Sequence, residues 1–244
     1  AENMGDLYKA EHSEDVVRRL KDVGVNMILM HYFKTGLRVE EEERVYAEQL
    51  AGFCRKYGMR VGAYIGGTIY YETLAQDDED CVNWAARDED GRPIRRSLSS
   101  GLCRYKPCYN QPGYRAFIRR VVEMAVKELG TDLVHFDNFG DSAEPACHCG
   151  ECVRKFSKFL EAKYRDASIR LERYGFTDLS RIRPPIFPKT VPPEKYPLVR
   201  DPSVQDWMEF GSECLTDFYR EMSDLILELN PEVAVECNPG GIRP

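Results

Sequence analysis

Three cysteines, Cys147, Cys149 and Cys152, stand within the six residues CHCGEC. Thiolates at CxCxxC spacing can place three sulfurs around one Zn²⁺ at about 2.3 Å, and a structural site takes a fourth ligand. Cys108, Cys103 and His148 offer that ligand. His148 lies between two of the cysteines and would be strained in the role. Cys108 stands just before a helix that feeds the next strand, so it can return to the same end of a sheet. The alternative is three free thiols on an exposed loop, open to oxidation. Immediately upstream, TDLVHFDNFG carries Asp137 and Asn138 to the end of an apolar run. A carboxylate there can serve as nucleophile or acid, and the amide beside it can bind a sugar hydroxyl. VAVECN ends in the same manner with Glu236 and Asn238. Two carboxylates on neighbouring strand ends suit a glycosidase pair, ~5–9.5 Å apart. Taken singly, each could equally be a helix cap or a salt-bridged strand end.

His31 and Tyr32 end another apolar run, VNMILM, and Tyr64, Tyr70 and Tyr71 follow a third. Rings at strand ends line carbohydrate clefts as well as cores. Arg104 lies in a loop near the cysteines. His31, His135 and Asp137 together would also suit a metal-dependent hydrolase, though His135 sits within its strand, deeper than Asp137.

The elements that position these residues repeat a pattern of helix, stop and apolar strand. Ser13 is placed to cap a helix with Glu14 and Asp15 in its first turn. Val16, Leu20 and Val23 give that helix an apolar face, and Gly24 stops it before Val25–Met30. Residues 40–57 are helical in spacing, Gly58 stops them, and 59–66 read as a strand. Residues 114–129 carry a clear 3.6 period and stop at Gly130. The helix VRKFSKFLEAKY follows the cysteines. A long helix through Trp207, Phe210, Phe218, Met222, Leu225 and Leu229 stops at Asn230-Pro231 before residues 233–238.

Four such units predict parallel strands near 25–30, 60–65, 132–137 and 233–238, adjacent in that order. Ligands bind at the carboxyl ends of such strands. Two irregular insertions interrupt the pattern, at 72–113 and 175–203. The fold class is therefore α/β: a parallel (β/α) TIM-barrel-type fold, one incomplete domain over 1–244 with four recognisable strands where a closed barrel needs eight. The open edges are expected to be covered by the insertions or by a second copy of the chain, a homo-oligomer.

Composition narrows the classes. The 244 residues are 43% hydrophobic and 31% charged, with a net charge of −7 and no Lys/Arg run, which argues against nucleic acid. No apolar run reaches the ~20 residues that cross a bilayer, and AENMGDLYKA lacks a signal-peptide core. Nine cysteines, an odd number with three crowded together, fit metal binding in a reducing compartment, the cytoplasm.

The chain resembles the glycoside hydrolase family 42 β-galactosidases and the glycosidase-like barrels related to them. The likeness runs through EDVVRRLKDVGVNMILM, ARDEDGRPIR with CYNQPGYRAF, HFDNFG, CHCGECVRKFSKFLEAKY and DPSVQDWMEFGSECLTDFYREMSDLILELNPEVAVECN. The zinc loop is the most specific of these. The resemblance implies a (β/α)₈ barrel, a retaining mechanism on a carbohydrate substrate, and a zinc held by Cys108, Cys147, Cys149 and Cys152. It makes Arg104 and Asn138 substrate-binding residues.

Two departures follow. Phe139 stands where the family has its acid/base glutamate, and the family's nucleophile on the seventh strand has no counterpart. Catalysis would then fall to Asp137 and Glu236, with Asp141 or Glu144 as substitutes and His31, Tyr32 and Asn238 beside the substrate. The other reading is a non-catalytic zinc-stabilised module that binds carbohydrate or a partner.

Overall fold

The computed structural model describes residues 4–67, 70–99, 102–137, 145–187 and 201–238. Helices α1 (Met4–Glu11) and α2 (Glu14–Asp22) precede strand β1 (Met27–Phe33), and α3 (Glu41–Lys56) precedes β2 (Arg60–Ile65). β3 (Tyr70–Tyr71) follows, and the first insertion holds two short 3-10 turns, β4 (Arg95–Ser99) and β5 (Leu102–Tyr105). Helix α4 (Pro112–Met124) runs through one π-type turn, Ala125–Leu129, towards β6 (Leu133–Phe136). Helices α5 (Gly150–Lys163), α6 (Ala167–Tyr174) and α7 (Pro202–Leu229) then lead to β7 (Ala234–Cys237).

The four expected strands form one parallel sheet in the order β1-β2-β6-β7. The stops before the first three are glycines with positive φ: Gly24 at 93°, Gly58 at 63° and Gly130 at 67°. A residue with a Cβ is strained there, so glycine ends each helix and frees the chain to turn into the sheet. The sheet is not closed into a barrel.

Side chains alternate across a strand, and the register makes the alternation common to all four. One face carries Met30, Tyr32, Val61, Ala63, Ile65, Val134 and Phe136. It packs against Leu50 and Cys54 of α3, Phe117 and Val121 of α4, and Phe218 and Met222 of α7. The other face carries Leu29, His31, Tyr64, His135 and Glu236, the side that a closed barrel turns inward. Here it stands open, with Met27 38% and Leu29 44% exposed. Gly62 keeps this face flat: a Cβ there would meet the Leu29 side chain at 2.9 Å.

A second core lies beside the first. Phe156 and Leu160 of α5 pack with Trp207 and Phe210 of α7, Ala86, Ile94 and the buried cysteines.

Two expectations change. The segment 72–113 is not wholly irregular, because β4 and β5 pair antiparallel within it and β3, just before it, adds a third strand. The other insertion does not change: its residues 175–187 carry neither helix nor strand, and α7 begins at Pro202. Strand β1 extends through Phe33, so His31 and Tyr32 lie within it rather than beyond it.

Candidate functional site

The register sets His31, Tyr64, His135 and Glu236 side by side across β1, β2, β6 and β7. The His31 and Tyr64 rings stack with centroids 5.6 Å apart, and Tyr64 and His135 at 5.8 Å. Asp137 follows β6 directly and Asn238 follows β7. The Asp137 carboxylate accepts from the Tyr64 hydroxyl on one oxygen and from Asn238 Nδ2, at 2.8 Å, on the other. Burial and then the bond to Asp137 push the Tyr64 hydroxyl well above the ordinary phenol range. Tyr64 therefore remains a donor, and the two bonds fix the carboxylate and stabilise its negative charge. Glu236 Oε2 lies 3.6 Å from His135 Nδ1, and its side chain is 56% exposed.

His31 is held from below. Its Nε2 lies 2.9 Å from Glu40 Oε1. The buried Glu40 also accepts from the backbone N–H groups of Lys34 (2.8 Å) and Thr35 (3.0 Å) and from the Thr35 hydroxyl (2.9 Å). Burial raises the Glu40 carboxyl, but the bonds from His31 and Lys34 outweigh it and leave the group below the usual carboxylate range. Glu40 was invisible in the sequence because it opens an acidic run, VEEEER, that reads as a solvated helix start. Tyr64 could have been singled out, since it ends an apolar strand in step with His135.

Arg104 sits on β5 with its guanidinium 5.2 Å from the Tyr71 ring centroid. Its Nε is buried without a partner among the described residues, and its charge acts on the Tyr64 hydroxyl. Tyr32 is not brought to this group. Adjacent strand residues face opposite sides, and Tyr32 is wholly buried in the helix-covered core. Asn138, Phe139, Asp141 and Glu144 lie outside the described residues.

The cysteines form the second centre. The sulfurs of Cys108, Cys147, Cys149 and Cys152 all lie within 4.8 Å of one another, and all four residues are buried rather than on an exposed loop. Cys108 Sγ is 3.6 Å from Cys149 Sγ and 3.4 Å from Cys152 Sγ. A disulfide needs about 2.05 Å; four thiolates at about 2.3 Å from one tetrahedral ion stand roughly 3.8 Å apart. The donor set therefore fits a metal ion. Cys103 lies elsewhere on β5, and His148 is not in the group. Hydrogen bonds from Cys108 and its neighbours pull the Cys149 thiol far below the ordinary range. Cys149 also caps α5, and Cys152 lies in its first turn, where the helix dipole favours anions.

A parallel sheet whose carboxyl ends gather a fixed carboxylate, an amide and rings belongs to the barrel-type α/β class. The sequence profile of glycoside hydrolase family 42, described as beta-galactosidase, matches residues 86–241, more than half of the chain. The chain belongs to that family.

Among curated relatives, beta-galactosidase LacZ of Heyndrickxia coagulans is 23% identical over 251 residues, covering 98% of this chain and 36% of the relative. Beta-galactosidase Pbg of Clostridium perfringens is 26% identical over 143 residues, covering 55% of this chain and 20% of the relative. The beta-galactosidase of the Antarctic haloarchaeon Halorubrum lacusprofundi superposes with a TM-score of 0.70 at 21% identity, covering 96% of this chain and 35% of that one. The chain thus matches about a third or less of the length of these proteins. No helix among the described residues is long and apolar enough to cross a membrane.

Proposed function

We propose that the chain supplies the strand-end carboxylates of a glycoside hydrolase acting on a β-galactoside-like carbohydrate, stabilised by a structural zinc on Cys108, Cys147, Cys149 and Cys152. The observation that carries this reading is Asp137, held at the carboxyl end of β6 by Tyr64 and Asn238 in a chain of family 42.

Asp137, which accepts hydrogen bonds from Tyr64 and Asn238, is the carboxylate suited to stabilise or attack the developing oxocarbenium centre. Glu236 stands on the neighbouring strand two residues back from the position opposite Asp137. Strands ~4.8 Å apart with ~3.3 Å per residue separate the two Cα atoms by about 8 Å. Carboxyl groups on that frame fall in the range of glycosidase pairs, ~5–9.5 Å. Exposed and next to His135, Glu236 can exchange a proton with solvent or leaving group. His31, fixed by Glu40, Arg104 with its unpartnered Nε, and Asn138 would bind sugar hydroxyls. A zinc would take no part in that chemistry: Cys108, Cys147, Cys149 and Cys152 would hold it and tie residues 147–149 to Cys108 and the start of α5.

The test is hydrolysis of nitrophenyl β-galactosides by the full-length protein and its variants. Asp137→Asn is expected to lower kcat by ~10²–10⁴-fold, and Glu236→Gln by a comparable factor if it moves the proton. Parental rates in both variants would make these residues structural. A parent inert on every glycoside would favour the non-catalytic module, for which Phe139 at the family's acid/base position already speaks.

A further inference from the structure

The four sulfurs are not the whole of the metal site. Around one Zn²⁺, four thiolates leave a net charge of −2 in a buried core, and such a charge needs donors aimed at the sulfurs. Two come from the backbone: Arg87 N–H points to Cys147 Sγ at 3.4 Å, and Cys152 N–H to Cys149 Sγ at 3.5 Å. A third comes from a side chain. Asn110, 5% exposed, places its Nδ2 3.3 Å from Cys152 Sγ and 3.2 Å from the sulfur of a fifth cysteine, Cys214. Its Oδ1 lies 3.0 Å from Lys155 Nζ. Lysine can only donate, so the amide oxygen must face Lys155 and its NH₂ group the sulfurs.

We infer that Asn110 is a positioning residue of the thiolate centre, polarised by Lys155, and that it holds Cys152 as a ligand while keeping Cys214 out of the ligand set. This inference rests on the metal reading above. The chain of contacts runs ammonium, amide, thiolate. Lys155 draws electron density to the Asn110 oxygen, its N–H groups become stronger donors, and part of the excess charge on Cys152 is offset one amide away. Cys214 sits on α7 beside the same amide. Two N–H groups on one nitrogen can serve both sulfurs at once, so the fifth thiol is satisfied without entering the site. The cavity here, about 30 Å³, is lined by Cys108, Asn110, Cys147, Cys152 and Cys214, so the exchange would need no large movement.

Loss of an outer partner of this kind typically lowers metal affinity ~10–100-fold. The experiment is metal release from the purified zinc-loaded protein to a chromophoric chelator, with Co²⁺ substitution as the spectroscopic readout. Asn110→Ala is expected to speed release ~10–100-fold and shift the thiolate-to-cobalt bands. Lys155→Met should act in the same direction by less, and should add nothing in the Asn110→Ala background. Cys214→Ser should retain four-thiolate cobalt bands.

Unchanged release in a folded Asn110→Ala protein overturns the inference. If that variant fails to fold, Lys155→Met on the half-exposed side of α5 decides it, and unchanged release there overturns it equally. Loss of a cobalt–thiolate band in Cys214→Ser would make Cys214 a ligand and also overturn it. A parent that takes up neither zinc nor cobalt removes the metal reading itself, a failure distinct from the others.

Discussion

The two centres of this molecule differ in how much of their surroundings the chain provides. The cysteines are buried in a packed core: Phe156, Leu160, Trp207 and Phe210 surround them, and three of the four sulfurs receive N–H donors. At the strand ends the supports come from below and beside, through Glu40, Tyr64 and Asn238, while the face above stays open at Met27 and Leu29. The first arrangement is built to be rigid. The second holds a few groups in fixed orientation and leaves room for something to bind. A carboxylate with two donors and an open side is useful to a substrate, and a cysteine cluster buried in a packed core serves the fold.

Removing the metal proposed for the cysteines should break the comparison most visibly. Structural zinc is worth ~10–16 kcal/mol in zinc-finger peptides, whose folding depends on it. Chelation, or Cys149→Ser, which removes a ligand and the α5 cap together, is expected to unlock the second core and leave the sheet standing. Hydrogen exchange should then show lost protection along α5 and the first half of α7, with β1, β2 and β6 still protected. Unaltered exchange in α5 would mean that packing alone holds this region.

The next largest effect lies at Asp206, which joins the two halves of the second core. Its fully buried carboxylate accepts from Lys163 Nζ at 2.9 Å, Tyr164 Oη at 2.8 Å, Tyr174 and Arg173. Burial raises its pKa, but the bonds from Lys163 and the tyrosines outweigh it, and the net shift is downward. A carboxyl whose folded pKa lies below its unfolded one contributes stability that is fully present above the unfolded value. That stability is lost as pH falls through the folded value. Asp206→Ala should cost ~1–3 kcal/mol near neutral pH: it removes the buried acceptor shared by Lys163, Arg173, Tyr164 and Tyr174, while Lys163 keeps Glu209 and Arg173 keeps Gln205. Thermal melts of the parent should fall as pH drops below the ordinary carboxylate range, and the variant should show a smaller fall. Equal slopes would deny Asp206 this role.

The legibility of these features follows the range of the interactions. The four parallel strands were readable because each is a local event, an apolar run behind a helix stop: a glycine for the first three and Asn230-Pro231 for the fourth. The CxCxxC loop was readable for the same reason. Cys108 entered as one of three choices, and family resemblance selected it, because nothing in the spacing fixes a ligand 39 residues upstream of Cys147. Tyr32 was misplaced although strand alternation forbids it and His31 a common face. The small antiparallel sheet was missed because its strands, two to five residues long, are too short to display a period. Glu40 and Asp206 were missed for a common reason: an acid in a helical stretch carries no local sign of burial, and their partners are supplied by backbone turns or by residues 32–43 positions away.

The smallest effect is expected on the open face, and it sharpens the comparison best. Leu29 is 44% exposed and lies over Gly62, whereas Leu160 in the second core is fully buried. Replacing a fully buried leucine by alanine costs ~2–5 kcal/mol through lost transfer energy and the cavity left behind. A substitution on an exposed surface stays within ~0.5 kcal/mol. Leu160→Ala should therefore lower the denaturant midpoint sharply, and Leu29→Asn should leave it nearly unchanged at equal slope. The pair also tests whether the face is free in solution. If a second copy of the chain covers Leu29, Leu29→Asn will reduce stability by well over 1 kcal/mol, and the loss will depend on protein concentration, because association then contributes to the folded state. A concentration-independent, near-zero effect means that this side of the sheet is free to receive a ligand.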